Sequence, residues 1–271
     1  MTETVNETVG ESPPRMHCME VWGGNCEVDR SFEMPGLNTW VYSRPSGGSQ
    51  GGGDVYYVSS CASGRITRLL LADVSGHGAE VSELALGLRD LMRSNVNVVK
   101  QTRFVAGMNQ QFTKLSESGA FATALVATFF QPTNRMTLCN AGHPRPLRYD
   151  GSNSSWTHID QPLLDTAGVT GTPLGVHDQA SYPQVETVLN AGDMVLLFSD
   201  ALTESLDEQG ELLGEKGLLQ LVSQLSPTVP EQFLQELVRR TRENLPESDS
   251  DDDLTVVLIQ ATGSSTRLSD N

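Results

Sequence analysis

The sequence predicts an antiparallel α+β layered fold, not a parallel sheet with crossovers. Short apolar runs of strand length occur at 69–72, 121–130, 194–198 and 254–260. Amphipathic stretches come in adjacent pairs, 79–95 with 101–117 and 214–225 with 229–244. The order is therefore strands, two helices, several strands, two helices and one strand. That lacks the strand–helix alternation a parallel sheet requires.

Residues 1–15 are polar and read as a disordered tail. Residues 16–262 read as a single domain, since no linker-like stretch divides them, and 263–271 as a frayed C-terminal tail. A short strand is expected within Cys18–Val28 and another at Leu37–Tyr42. The run Ser46–Gly53 is too rich in glycine for regular structure and reads as a flexible loop leading into Asp54 and a strand from Val55. With the strand ending at Leu71 it forms a hairpin turning at Ala62-Ser63-Gly64, which brings Asp54 and Asp73 to one end of a sheet.

The first helix of each pair follows an apolar strand, and Val81, Leu84, Leu88, Leu91 and Met92 give the one after Asp73 its buried face. Phe104, Met108, Phe112 and Leu115 do the same for the next. Phe121–Phe130 pairs with Met136–Asn140 across Gln131–Asn134, and a strand at Leu147–Tyr149 follows Asn140-Ala-Gly-His-Pro-Arg-Pro146. Residues 151–180 are loop-rich. Strands at Gln184–Leu189 and Met194–Phe198 are expected to form a hairpin about Asn190–Asp193. Thr228-Val-Pro-Glu231 reads as a capping box opening the last helix.

The chain of 271 residues is 38% hydrophobic, enough for a full core, and carries 34 acidic against 18 basic residues, a net charge of −16. Nucleic acid and anionic membrane surfaces are excluded as partners, because both need clustered Lys and Arg. A soluble protein that holds cations or meets a basic partner fits this balance. No apolar run approaches a membrane span and no signal-peptide core opens the chain, so a cytoplasmic location is expected. Cys18, Cys26, Cys61 and Cys139 are scattered without metal-site spacing, which suits a reduced compartment. His17 and Cys18 with Cys26 lack a fourth ligand for zinc.

Asp54, Asp73, Asp200 and the run Asp251–Asp253 all stand at ends of expected core strands. Each alone is a turn residue or a helix cap, Asp73 for the helix after it. Together they form an oxygen-only donor set, which selects hard cations, Mg²⁺ or Mn²⁺ before Ca²⁺. Carboxylates this close repel without a cation, and two divalent ions about 3.5–4 Å apart neutralise them and make a bridging water reactive towards phosphorus. The 249–253 run lacks the glycine and distal glutamate of an EF-hand loop. After Asp73 and Asn140, His77 and His143 either act as proton donors to a leaving group or only stabilise their turns.

In order, Gly52-Gly-Asp54, Asp73-Val-Ser-Gly-His-Gly78, Asn140-Ala-Gly-His-Pro144, Gly192-Asp193 through Ser199-Asp200, and Asp252-Asp-Leu-Thr255 resemble the motifs of the metal-dependent protein phosphatases (PPM, or type 2C). The nearest branch is the bacterial SpoIIE-like one, and the likeness runs over residues 30–260. It implies a sandwich of two antiparallel β-sheets flanked by pairs of α-helices, with two Mn or Mg ions in a cleft at one end. By position Asp73 bridges both ions, the Val74 carbonyl binds the second, and Asp200 and Asp252 complete the first. Asp54 holds water at the metals from behind. The implied reaction is hydrolysis of phosphoserine or phosphothreonine without a phosphoenzyme, on a phosphorylated sigma-factor regulator of the anti-sigma-factor antagonist type. A catalytically weak phosphoprotein binder and a two-metal hydrolase of small phosphate esters are the alternatives.

Two positions depart from the family pattern: Ala201 stands where glycine often follows the Ser-Asp pair, and Ser75 stands where eukaryotic members carry a histidine proposed as general acid. Only a short tail precedes the domain, so control is expected from a regulator in trans or a homodimer interface.

Overall fold

The computed structural model describes residues 21–61, 64–116, 119–160, 171–207, 209–243 and 252–263. The two expected tails, apart from Gly263, and the His17–Cys18 pair fall outside these residues. Two six-stranded antiparallel sheets are formed. The first contains β1 (Val21–Gly24), β4 (Asp54–Cys61), β5 (Ile66–Val74), β6 (Ala122–Phe130), β7 (Arg135–Ala141) and β10 (Gln184–Val188), in that spatial order. The second runs β2 (Val28–Met34), β3 (Leu37–Arg44), β12 (Leu254–Ala261), β11 (Met194–Phe198), β8 (Leu147–Asp150) and β9 (Ser155–His158). Helices α1 (Ala79–Ser94) and α2 (Gln101–Leu115) cover the first sheet, and α4 (Gly214–Gln224) and α5 (Pro230–Glu243) the second, with a single turn α3 (Ala201–Glu204) after β11.

Strand β5 shows why the central strands are apolar without alternation. Its Leu69 and Leu71 enter the core between the sheets, while Leu70 and Ala72 pack beneath α1 and α2. Strand β11 divides likewise: Val195 and Leu197 face the other sheet, Met194, Leu196 and Phe198 face α4 and α5. A strand buried on both faces has no polar side to alternate with. The antiparallel sandwich with outer helices is the architecture that the resemblance implied.

Several local expectations are corrected. Residues 190–193 are not a hairpin turn, because β10 pairs with β7 in the first sheet while β11 pairs with β12 and β8 in the second. The segment crosses between sheets, and Asp193 fixes it by accepting from Asn190 N, Gly151 N and the Arg148 guanidinium at 2.9–3.0 Å. Strands β2 and β9 were not foreseen, the first hidden by exposed polar residues at an edge and the second by a serine-rich turn. Helix α5 starts at Pro230, and its first backbone bond runs from Phe233 N to Val229 O at 2.9 Å. Proline at the first helical position marks this start; the Thr228 hydroxyl instead bonds Ser226 Oγ at 2.9 Å.

Candidate metal centre

The hairpin β4–β5 places Asp54 directly opposite Asp73, one at the start of its strand and the other near the end. On the second sheet β11 and β12 are antiparallel, so Asp200, just beyond Phe198, and Asp252, just before Leu254, emerge at one end. Ser199 ties those two loops: its N–H donates to Thr255 O at 2.9 Å and its hydroxyl accepts from Thr255 N at 2.9 Å.

Asp253 joins the two sheets at this end. It is buried and accepts from Ser46 N at 2.7 Å, Gly53 N at 2.5 Å and Asp54 N at 3.1 Å. The glycine run before Asp54 is accordingly packed rather than loose at residues 51–53. A Cβ on Gly52 would lie 2.1 Å from Asp253 Oδ2, and one on Gly53 would lie 2.9 Å from the Val74 carbonyl oxygen. Asn25, which is buried, closes the loop from outside, donating to Gly52 O at 2.9 Å and to Ser82 Oγ of α1 at 2.8 Å.

The electrostatics follow from this convergence. Burial, then the charges of Asp200, Asp252, Asp253 and Glu204, push the Asp73 carboxyl up to about 7. Asp54, fully buried, is held well above the ordinary carboxylate range by desolvation and by Asp73, although the Thr255 and Ser199 hydroxyls pull the other way. Asp200 is raised by desolvation and Glu204, and Asp252 by desolvation and Asp200. Among the described residues no group of three or more Asp, Glu, His or Cys side chains stands close enough together to hold an ion as it is. The chemistry of the donors nevertheless fits a hard divalent cation: they are all oxygens, mutually repulsive, and one buried atom, Asp54 Oδ2, has no hydrogen-bond partner. The helix-cap alternative for Asp73 is not realised, since α1 is preceded by Gly78 and receives no side-chain cap.

The histidines part company. His77 is exposed on the loop before α1. His143 is buried, its Nδ1 2.8 Å from Thr123 Oγ1, and Thr123 is the β6 partner of Asp73. Asn140 clamps the same turn, accepting from His143 N and donating to His143 O, each at 2.8 Å. Desolvation pushes the imidazole down to about 3, with the Phe198 carbonyl acting weakly in the opposite sense. It is a neutral, wedged ring, which suits the turn-stabilising role better than proton donation. Sequence reasoning missed Glu204, four residues after Asp200 on α3, and the clamp formed by Asp253 and Asn25. The spacing of Glu204 was a readable signal; the clamp had none.

A helix-flanked double sheet with acidic loops gathered at one end defines the class of PP2C-type phosphatase domains. The chain belongs to the stage II sporulation protein E (SpoIIE) family, whose profile matches residues 63–262. It is 23% identical to the phosphoserine phosphatase RsbU of Bacillus subtilis (strain 168) over 145 residues, 53% of this chain and 41% of RsbU. The match thus spans less than half of that relative's length. The PP2C phosphatase domain of Bacillus subtilis SpoIIE, solved with a fragment of its regulatory domain, superposes with a TM-score of 0.68 at 14% identity, over 90% of this chain and 70% of that one. RsbX in complex with magnesium superposes with a TM-score of 0.62 at 17% identity, over 86% of this chain and 100% of that one. At such identities the structural likeness establishes the fold.

Proposed function

We propose that this chain is a Mg²⁺- or Mn²⁺-dependent protein-serine/threonine phosphatase acting on a phosphorylated regulator of a sigma-factor pathway. The observation that carries the proposal is the convergence of strand-end carboxylates: burial, and after it the charges of Asp200, Asp252, Asp253 and Glu204, push Asp73 up to about 7. Two divalent cations would supply Lewis acidity and a water made nucleophilic near neutral pH. Asp73 would hold both, with the Val74 carbonyl on the second and Asp200 and Asp252 on the first. Asp54 would accept a hydrogen bond through its free Oδ2 and orient water there. The peptide units around Val74 are kept in place by Val74 N donating to Gly53 O at 3.2 Å and by the paired bonds between Ser75 and Phe121. Ser75, at the position of the eukaryotic histidine, thus serves the backbone. The residues 16–262 are proposed as the catalytic unit, controlled by a regulator or by self-association.

The test is Mn²⁺-dependent phosphate release from a phosphoserine protein beside a panel of nucleotides and small esters. Asp73→Asn and Asp200→Asn are each expected to lower turnover by a factor of about 100 or more. Unchanged turnover in either would overturn the metal assignments. Faster hydrolysis of the small esters than of the phosphoprotein would favour a small-ester hydrolase.

A further inference from the structure

Beside the candidate metal centre lies a cavity of about 270 Å³, and Asp252 and Glu204 are among the residues that line it. Two arginines, Arg44 and Arg242, line the same cavity. Arg44 is the last residue of β3 and the Cα partner of Leu254, two residues beyond Asp252, so it projects from the same end of the sheet as the acidic loops. Arg242 sits in the last turn of α5. Both residues are exposed, and among the described residues neither forms an ion pair. The contrast within the chain is informative. Arg89, Arg135, Arg145, Arg148, Arg239 and Arg240 each meet a carboxylate; Arg44 and Arg242, like Arg30, Arg93 and Arg103, meet none among the described residues, but only these two line the cavity beside Asp252 and Glu204.

The floor is fixed as well. Ser46 is held by its N–H on Asp253 Oδ1 at 2.7 Å, so the turn carrying it is pinned to the metal loop. Gly47 and Gly48 follow with positive φ, and a Cβ on either would meet nothing within 4 Å, which leaves backbone open to an extended peptide. The molecule as a whole carries −16 and repels acidic ligands at long range. Within the cavity the two guanidinium groups place positive charge beside the carboxylates of Asp252 and Glu204.

Resting on the phosphatase reading above, we infer that Arg44 and Arg242 form a docking subsite for a carboxylate side chain on the substrate segment that flanks the phosphorylated residue. The phosphate goes to the cations, and the acidic neighbour enters the adjoining cavity and meets the two guanidinium groups. The cavity accommodates one or two side chains, so the subsite selects the sequence around the phosphoserine. It contributes no group to the chemical step.

The test compares fluorescein-labelled phosphoserine peptides that carry either Asp and Glu or Asn and Gln around the phosphoserine. Anisotropy titrations with the Mn²⁺-loaded full chain measure binding, and phosphate release is followed in parallel. Wild type is expected to bind the acidic peptide roughly tenfold more tightly, a preference shrinking with added salt. In the Arg44→Gln/Arg242→Gln double variant the ratio should fall to about one. Arg103→Gln, which removes an exposed charge from α2, should leave the ratio unchanged. Equal binding of both peptides by wild type, or a preference that survives in the double variant, overturns the subsite. Absence of phosphate release from every peptide overturns the phosphatase reading instead, and the binding ratios still decide the subsite.

Discussion

At Asp253 three backbone N–H groups converge on one carboxylate, whereas Asp73 faces the charges of Asp200, Asp252, Asp253 and Glu204. Three adjacent aspartates in the sequence carry no mark of which one turns inward; the difference arises only when β12 is placed beside β3 and against the Gly52–Asp54 loop. Truncating the inward one strands three donors, two of them buried together. Asp253→Ala is therefore expected to cost about 2–4 kcal/mol of stability, read from urea denaturation. Asp73→Asn should have the opposite sign in metal-free protein. Its carboxyl titrates near 7 when folded and at the ordinary 3.8 when unfolded, so its cost to stability appears as pH rises above 3.8 and is complete above about 7. Removing that charge should raise metal-free stability at pH 8 by roughly 1–3 kcal/mol and leave it nearly unchanged at pH 4. A destabilised Asp73→Asn variant at pH 8 would show that the carboxylates are not in mutual repulsion.

The turn between β7 and β8 works as an element rather than as a set of residues. Asn140 closes it, Gly142 takes a positive φ of 74° where a Cβ would strike the Gly171 carbonyl at 2.7 Å, and His143 wedges against Thr123. The sequence left two roles open for this Gly-His-Pro cluster, a positioned proton donor or a rigid bend, because burial of the ring depends on how the two sheets stack. With the imidazole pushed down to about 3 from its ordinary 6.5, the folded state binds fewer protons than the unfolded state between those values. Its stabilising contribution is thus present above pH 6.5 and is lost as pH falls towards 3, by at most about 1.4 kcal/mol per pH unit. The stability difference between wild type and His143→Gln should shrink by that slope on acidification from 6.5 to 4.5. A difference independent of pH would mean that the ring is not buried neutral.

For the molecule as a whole, the fold class was legible because strand and helix periodicities are local. The paired helices, the doubly buried strands and the β4–β5 hairpin could all be read, and the hairpin alone brought Asp54 and Asp73 together. Membership of a sheet is not local. Asn190–Asp193 has the composition of a tight turn yet links strands of different sheets, and a polar edge strand such as β2 has little apolar pattern to announce it. The carboxylates proposed as donors were legible as residue types at strand ends, while the clamp of Asn25 and Asp253 depends on contacts across 27 and 199–207 residues. The central claim is that these distant strand ends share divalent cations. The most direct measurement is a crystal grown with Mn²⁺ and recorded at the manganese absorption edge. Two anomalous peaks about 3.5–4 Å apart are expected, with Asp73 between them and Asp200 and Asp252 on one. Peaks lying away from Asp73, or none at saturating Mn²⁺, would contradict that claim.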